Sequence, residues 1–227
     1  MTHEESQTQD KNLSAPKSDT SNDSSKIDFS LKIESLHDTT LKSCTVTLPT
    51  ESVLYRVQDG NYSGNCVYFN TDGLNTRFGL NDGKTGTMYV AKEAPTALKE
   101  VFKGMSIKES DLKNYYNGTV VTTKELNILD VNQLVRKTGI TMHDVTTSSR
   151  CDTQSLAKKV RAAGFDGILF QSNVTSDACI ALWHTPGNSA GIARTGTLSQ
   201  LSSFRDGNGQ SAASILINDL GISVDLE

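Results

Sequence analysis

The pattern of apolar and polar positions predicts strands at the start of the folded part of the chain. Apolar and polar residues alternate over 27–34, and apolar runs follow at 46–48 and 53–57, on either side of Pro49. A period of two is typical of a half-buried strand, because successive side chains point to opposite faces of a sheet. We therefore predict three strands before residue 58.

A strand and a helix are predicted in direct succession over residues 87–102. The residues around Tyr89 favour a strand, and Pro95 suits the first position of a helix, where its missing N–H is not needed. Apolar residues then recur at helical spacing and predict one buried face. Glu100 falls on the flank of this face, where a glutamate is usually solvated, so periodicity alone assigns it no function.

A second helix followed by a buried strand is predicted further along the chain. Asp152 is a good N-cap for this helix, and Gly164 is a natural stop. The apolar run 168–170 is typical of a buried strand, and Ser172 lies just beyond its C-terminal end, where side chains face a cleft. The other predicted elements are a strand at 128–131, a helical turn at 132–137, a strand at 179–183, loops from 185 onward and a short helix or strand at 214–220.

Composition divides the chain into a polar segment and one folded domain. Residues 1–27 contain almost no apolar side chain, so they cannot bury enough surface to offset the entropy lost on ordering. We predict that this segment is disordered. Residues 28–227 are long enough for one sizeable domain, and the predicted elements make it a mixed α+β domain.

Charge and composition exclude several classes of function. A net charge of −4 and an isoelectric point near 5.6 argue against nucleic acid as a partner, because phosphate binding requires clustered lysine and arginine. No apolar run is long enough to span a bilayer, so no membrane partner is expected. The cysteines and histidines are scattered, so we expect no metal site. The polar start lacks the apolar core of a secretory signal, and we expect a cytoplasmic protein.

Four residues, taken in order along the chain, resemble the RES-domain family, which is named for its arginine, glutamate and serine. They are Arg56 in Leu54-Tyr55-Arg56-Val57, Tyr89, Glu100 in Ala97-Leu98-Lys99-Glu100, and Ser172 at the end of Gly164-Phe165-Asp166-Gly167-Ile168-Leu169-Phe170-Gln171-Ser172. The similarity covers about residues 53–200. One departure is the run Thr76-Arg77-Phe78-Gly79, where the family usually shows Gly-Arg-Trp-Asn or a similar run.

The resemblance implies a fold similar to the ADP-ribosyltransferase toxins, with two small mixed or antiparallel sheets and flanking helices around an NAD cleft. Family members cleave the bond between nicotinamide and ribose in NAD, and many are toxins controlled by an antitoxin. The resemblance thus implies an NAD-consuming toxin or effector, either a glycohydrolase or a phosphorylase. Its substrate would be NAD and its partner a neutralising antitoxin or immunity protein. The polar leader leaves open delivery into a target cell by a specialised secretion system.

The same resemblance implies roles for individual residues. Glu100 would stabilise the positive charge that develops on the ribose. Arg56 would clamp the pyrophosphate, with help from Arg77. Tyr89 would offer an aromatic face to the nicotinamide, and Ser172 would hydrogen-bond the nicotinamide amide or the ribose. The alternatives are an edge-strand arginine facing solvent for Arg56, and core packing or strand capping for Tyr89 and Ser172.

Two other functions stay open. A mono-ADP-ribosyltransferase that modifies a protein would share the NAD site and differ only in its acceptor. A non-catalytic binding module would keep the fold without the reaction, although the presence of all four motif residues argues against it. The chain has no GxGxxG after a first strand and no GxxxxGK[ST], so a Rossmann oxidoreductase and a P-loop nucleotidase are excluded.

Overall fold

The computed structural model describes residues 29–60, 65–72, 75–187 and 191–226, and the segment 1–27, predicted to be disordered, lies outside them. The strands are β1 (Thr45–Leu48), β2 (Val53–Asp59), β3 (Gly86–Ala91), β4 (Ile107–Lys108), β5 (Tyr115–Thr122), β6 (Leu126–Asp130), β7 (Gly167–Gln171), β8 (Ala178–His184), β9 (Ala193–Gln200) and β10 (Val224–Asp225). The helices are α1 (29–34), α2 (Asp38–Ser43), α3 (Ala94–Phe102), α4 (Val131–Lys137), α5 (Met142–Thr146), α6 (Arg150–Ala162) and α7 (Ala212–Ser214). A 3₁₀ helix spans Glu109–Asn114, and a π-helix spans Ile215–Asp219.

Eight of the strands form one mixed sheet, in the order β1-β6-β7-β8-β3-β2-β5-β9. Strands β6 and β7 run parallel, because α4, α5 and α6 carry the chain back between them. The other neighbours in this sheet are antiparallel. Strands β4 and β10 form a separate parallel pair. The mixed α+β class predicted from the sequence is therefore confirmed.

The large sheet opens between β2 and β3. One residue pair, Tyr55 with Ala91, joins these two strands, whereas β3 pairs with β8 over 86–91 and β2 pairs with β5 over 53–59. The sheet thus has a five-stranded half, β1-β6-β7-β8-β3, and a three-stranded half, β2-β5-β9. The two small sheets implied by the resemblance are found only in part: among the described residues the two halves are joined through a single residue pair into one eight-stranded sheet, and the second sheet has only two strands.

Residues 29–34 form a helix, so the strand predicted there is wrong. Phe29, Ile33 and Leu36 are buried, whereas Leu31 is 58% exposed. The spacing of four residues places Phe29 and Ile33 on the same face of helix α1, and Leu36 follows the end of the helix. Over so few residues, the apolar positions of a half-buried strand overlap with those on one face of a helix, so the pattern alone does not distinguish the two. Packing against the core favours the helix here.

The remaining predicted elements lie close to where the pattern placed them, with two exceptions. Helix α6 begins at Arg150 with Ser149 as its N-cap, so Asp152 lies inside the first turn and is not the cap. Gly164 follows the helix with φ +93°, a left-handed conformation that glycine adopts without strain. Strand β9, Ala193–Gln200, lies in the part predicted to be loops.

Both faces of the sheet are covered. Helices pack on one face, around residues such as Leu98, Leu156 and Trp183. A smaller apolar cluster around Phe69 and Met88 covers the other face. Because successive residues of β3 and β8 alternate between the two clusters, their side chains are fixed from both sides.

Candidate functional site

A cleft of about 380 Å³ lies where β2 and β3 diverge, and its size is in the range of small-molecule sites. Four of the five residues predicted from the sequence line it: Arg56 on β2, Arg77 before β3, Tyr89 on β3 and Glu100 on α3. Ser172 is not among the lining residues and lies behind Glu100. The fold therefore brings all five together, although they are spread over more than 100 positions of the chain.

Glu100 is held from behind by Ser172. The Ser172 hydroxyl donates to Glu100 Oε1 at 2.7 Å, and Ser172 is only 3% exposed. The same hydroxyl oxygen accepts the backbone N–H groups of Val174 and Thr175 at 3.1 and 3.2 Å. Since a hydroxyl has one proton, these two N–H groups leave the proton to the carboxylate. The geometry thus directs Ser172 toward Glu100.

Helix α3 is anchored to the same turn that carries Ser172. Pro95 lies at its start, and the buried Thr96 donates to Asp177 Oδ2 at 2.8 Å. Thr96 also lies 3.2 Å from the Thr175 hydroxyl. These contacts fix the rotation of the helix about its axis, so Glu100 faces the cleft.

Arg77 presents a partly unpartnered guanidinium to the cleft. Its Nη1 donates to Asn173 Oδ1 at 3.3 Å, and its Cζ lies 5.9 Å from the ring centre of Phe170. Its Nε is buried and has no hydrogen-bond partner among the described residues. A half-buried guanidinium whose Nε is buried without a partner favours a bound anion.

Side chains hold the segment around Arg77, which belongs to no helix or strand. Gln154 Nε2 on α6 donates to the carbonyl oxygen of the residue before Arg77 at 3.0 Å. The Tyr89 hydroxyl accepts the N–H of Phe78 at 2.8 Å, and Trp183 Nε1 donates to the Phe78 carbonyl oxygen at 2.9 Å. The backbone on both sides of the arginine is therefore fixed by the sheet and by α6.

Arg56 lies on an interior strand, so the alternative of an edge-strand arginine facing solvent is wrong. Its Nη1 donates to the carbonyl oxygens of Cys66 and Tyr68 at 2.8 and 3.1 Å. Opposite Arg56 on β5 is Gly118, where a Cβ would overlap the sulfur of Cys66. Arg56 thus contributes charge to the cleft and also ties the segment after β2 to the sheet.

Two basic residues of the cleft were not predicted. Arg150 lies in the first turn of α6, where the helix dipole disfavours a cation, and this unusual placement is the feature that could have identified it. Lys103 Nζ lies 2.6 Å from Glu100 Oε2, and the spacing of three residues is the signal for that pair. With Arg56 and Arg77, these residues make the cleft basic in a chain of net charge −4.

Burial and charge set the ionisation of the cleft. Burial, together with the nearby carboxylates of Glu100 and Asp177, raises the pKa of the Cys179 thiol to about 12, so Cys179 is not a nucleophile at neutral pH. Burial also lowers the pKa of Arg77, and the positive charge of Arg150 lowers it further. An anion placed between the two arginines would relieve this repulsion.

The described residues lack the features of a metal site and of a membrane-spanning helix. No group of three or more histidine, cysteine, aspartate or glutamate side chains that could hold a metal ion occurs in the described ranges. Among the helices described, none combines the length and the apolar character needed to cross a bilayer.

The fold and the cleft define a class: a mixed α+β protein with a basic cleft at an opening of its sheet and one anchored carboxylate inside it. The family model described as the RES domain matches residues 53–199, which is more than half of the chain. The chain belongs to the RES-domain family. The matched region contains Arg56, Arg77, Tyr89, Glu100 and Ser172.

One solved structure with a similar fold comes from the crystal structure of the M. tuberculosis MbcT–MbcA toxin–antitoxin complex. The similarity has a TM-score of 0.54 at 15% sequence identity, and it covers 72% of this chain and 91% of that chain. At this identity the similarity establishes the fold alone. No curated protein matches the chain.

Proposed function

We propose that this protein consumes NAD by cleaving the bond between nicotinamide and ribose, as a glycohydrolase or a phosphorylase. The observation that carries the proposal is the pairing of one anchored carboxylate, Glu100, with the basic side chains of the same cleft. NAD offers a matching arrangement, because its dianionic pyrophosphate lies next to the ribose at which positive charge develops during cleavage.

Glu100 is the catalytic residue in this proposal. As the bond between C1 of the ribose and the nicotinamide nitrogen breaks, its electron pair leaves with nicotinamide, which departs neutral, and the ribose becomes an oxocarbenium-like cation. The carboxylate stabilises that cation and accepts hydrogen bonds from the ribose hydroxyls. Ser172 holds Oε1, while Oε2 faces Lys103, a half-exposed residue that ribose hydroxyls can displace. Water or phosphate then adds to C1, and water loses a proton in doing so.

The arginines bind the pyrophosphate. Arg77 has an unused Nε donor, and it lies close enough to Arg150 for the charge of Arg150 to lower its pKa. Two neighbouring guanidinium groups suit the two negative charges of a diphosphate. Arg56 also lines the cleft, although its Nη1 is engaged by two carbonyl oxygens. In this arrangement Arg77 and Arg150 carry most of the anion binding, with Arg56 in a supporting position.

The biological role proposed is that of a toxin or effector that acts in the cytoplasm. Support comes from the similarity of this chain to a chain in the crystal structure of a toxin–antitoxin complex. On this basis, the partner expected is an antitoxin or immunity protein. The opening of the sheet into a five-stranded and a three-stranded half supports an ADP-ribosyltransferase-like arrangement. In that arrangement the substrate lies in the opening.

The test is NAD consumption by the purified protein with and without inorganic phosphate. Wild type is expected to release nicotinamide, and a phosphate requirement would identify a phosphorylase. Glu100→Gln keeps the size of the side chain and removes its charge, and we expect a loss of about 100-fold or more in rate. Glu93→Gln is the matched control, since Glu93 is exposed just before the same helix and outside the cleft. Equal rates for wild type and Glu100→Gln would refute the assignment.

Transfer to a protein is the alternative reaction of the same site. Incubation with a tagged NAD analogue and cell extract separates the two reactions, because a transferase labels a protein whereas a hydrolase or phosphorylase leaves the tag on small molecules. A folded wild-type protein that neither consumes NAD nor labels a protein would support the non-catalytic module instead.

A further inference from the structure

We infer that the hydroxyl of Tyr89 and the amide of Gln154 position Arg77 for binding a diphosphate, an inference that rests on the proposed function. Both groups bond to the backbone beside Arg77 and not to its side chain. Gln154 is 7% exposed, and a buried amide is costly unless it is hydrogen-bonded. Its bond to the segment is therefore a specific contact between α6 and the cleft wall.

The segment around Arg77 needs such support because its backbone groups take part in no helix or strand hydrogen bonding. Residues 76–78 form a bend and a turn that precede β3 without joining the sheet. Without the bonds to Tyr89, Gln154 and Trp183, the carbonyl and N–H groups around Arg77 would lose their partners beneath the surface. These bonds therefore decide where the arginine backbone lies.

The guanidinium is held far less than the backbone. Its one hydrogen bond within the described residues, to Asn173, is long at 3.3 Å, and its Nε is buried without a partner there. A fixed backbone with a weakly held head group is pre-organised: the position is set before the anion binds, and the Nε donor is not already occupied. Loosening the backbone should therefore weaken anion binding without removing any donor.

Tyr89 offers a way to separate positioning from stacking. Its ring packs edge-on against Phe170, with ring centres 6.3 Å apart. Burial raises the pKa of its hydroxyl, which is neutral at physiological pH and accepts the Phe78 N–H. Tyr89→Phe keeps the ring and its face for a stacked nicotinamide, and it removes only the hydroxyl.

The experiment measures ADP-ribose binding by calorimetry and NAD turnover in parallel. Tyr89→Phe and Gln154→Met are each expected to weaken ADP-ribose binding and to raise KM about 5- to 30-fold, the usual effect of one lost hydrogen bond, with kcat within about twofold. Tyr115→Phe is the matched control, because Tyr115 is partly buried and outside the cleft. Values within twofold of wild type for both variants would overturn the inference.

A double-mutant cycle tests whether the effect passes through Arg77. In an Arg77→Gln background, Tyr89→Phe should change ADP-ribose affinity by less than about twofold, because the group it positions is gone. A general structural effect would instead lower affinity by the same factor in both backgrounds. That result would overturn a positioning role even if the single variant binds weakly.

Amide exchange at Phe78 gives a readout that needs neither binding nor turnover. Its N–H is bonded to the Tyr89 hydroxyl, so exchange should accelerate about 5- to 30-fold in Tyr89→Phe. Unchanged exchange refutes the support of this segment by Tyr89. A wild-type protein that binds no ADP-ribose and cleaves no NAD refutes the diphosphate ligand and the proposed function, whatever the exchange result.

Discussion

The bond between Ser172 and Glu100 gives the sharpest prediction about catalysis. Ser172→Ala removes a hydrogen bond of 2.7 Å to a carboxylate and no group that lines the cleft. A hydrogen bond to a charged group is worth about 1.5–3 kcal/mol. Since each ~1.4 kcal/mol in the activation barrier is about tenfold in rate, full loss in the transition state lowers kcat about 10- to 150-fold. KM should change little, because the arginines that bind the pyrophosphate are untouched.

The same substitution also has a cost in stability that must be measured separately. The hydroxyl oxygen accepts two backbone N–H groups, from Val174 and Thr175, and alanine leaves both without this acceptor. Both residues are partly exposed, so water replaces some of the loss, and we expect unfolding to become easier by about 1–3 kcal/mol. Urea unfolding measures this change in unfolding free energy. The change in kcat is measured separately, at a temperature where the variant is folded.

Two comparisons separate positioning from general damage. Ser155→Ala removes a hydroxyl whose one hydrogen bond within the described residues is to the Cys151 carbonyl oxygen of the same helix, and it should leave kcat unchanged. In a Glu100→Gln background, Ser172→Ala should have little further effect on rate, because groups that act as a unit are non-additive. A Ser172→Ala protein with at least half the wild-type kcat would show that the bond does not contribute to the transition state.

Two further predictions concern stability. Burial and nearby positive charges lower the pKa of His184, so the stability it contributes is complete above the unfolded pKa of about 6.5 and is lost as the pH falls through the folded pKa. His184→Gln should therefore reduce the change of unfolding free energy with pH in urea titrations between pH 8 and pH 5. An equal pH dependence in both proteins would contradict this prediction. Gly118→Ala places a Cβ against the sulfur of Cys66 and should cost about 1–3 kcal/mol in urea unfolding, with a neutral result as the contrary outcome.

Local pattern predicted the elements that carry strong periodicity. Strand β3 and helix α3 appear where the apolar spacing and Pro95 place them, and strand β7 follows the stop at Gly164. Strand β9 was missed because it is an edge strand rich in polar residues, with only Ala193 buried. Its place in the sheet comes from pairing with β5, a contact between distant parts of the chain that no short window contains.

The site was predictable only in part for the same reason. Family resemblance placed Arg56, Glu100 and Ser172 in one constellation, but their roles stay predictions until variants are measured. The resemblance implied that Ser172 contacts the substrate, whereas its one proton points to Glu100. Arg150 escaped prediction because its proximity to Arg77 arises from the packing of α6 on the sheet, and nothing in its neighbouring residues reports that distance.

The opening of the sheet explains why interior strands can carry a site at all. In a continuous sheet, residues of β2 and β3 would lie side by side and their backbone groups would be fully paired. Here only Tyr55 and Ala91 pair, so the strands separate on one side of that point and expose the side chains beside it. Arg56 directly follows Tyr55, and Tyr89 lies two residues before Ala91. The pair that joins the halves therefore also sets the distance between the two walls of the cleft.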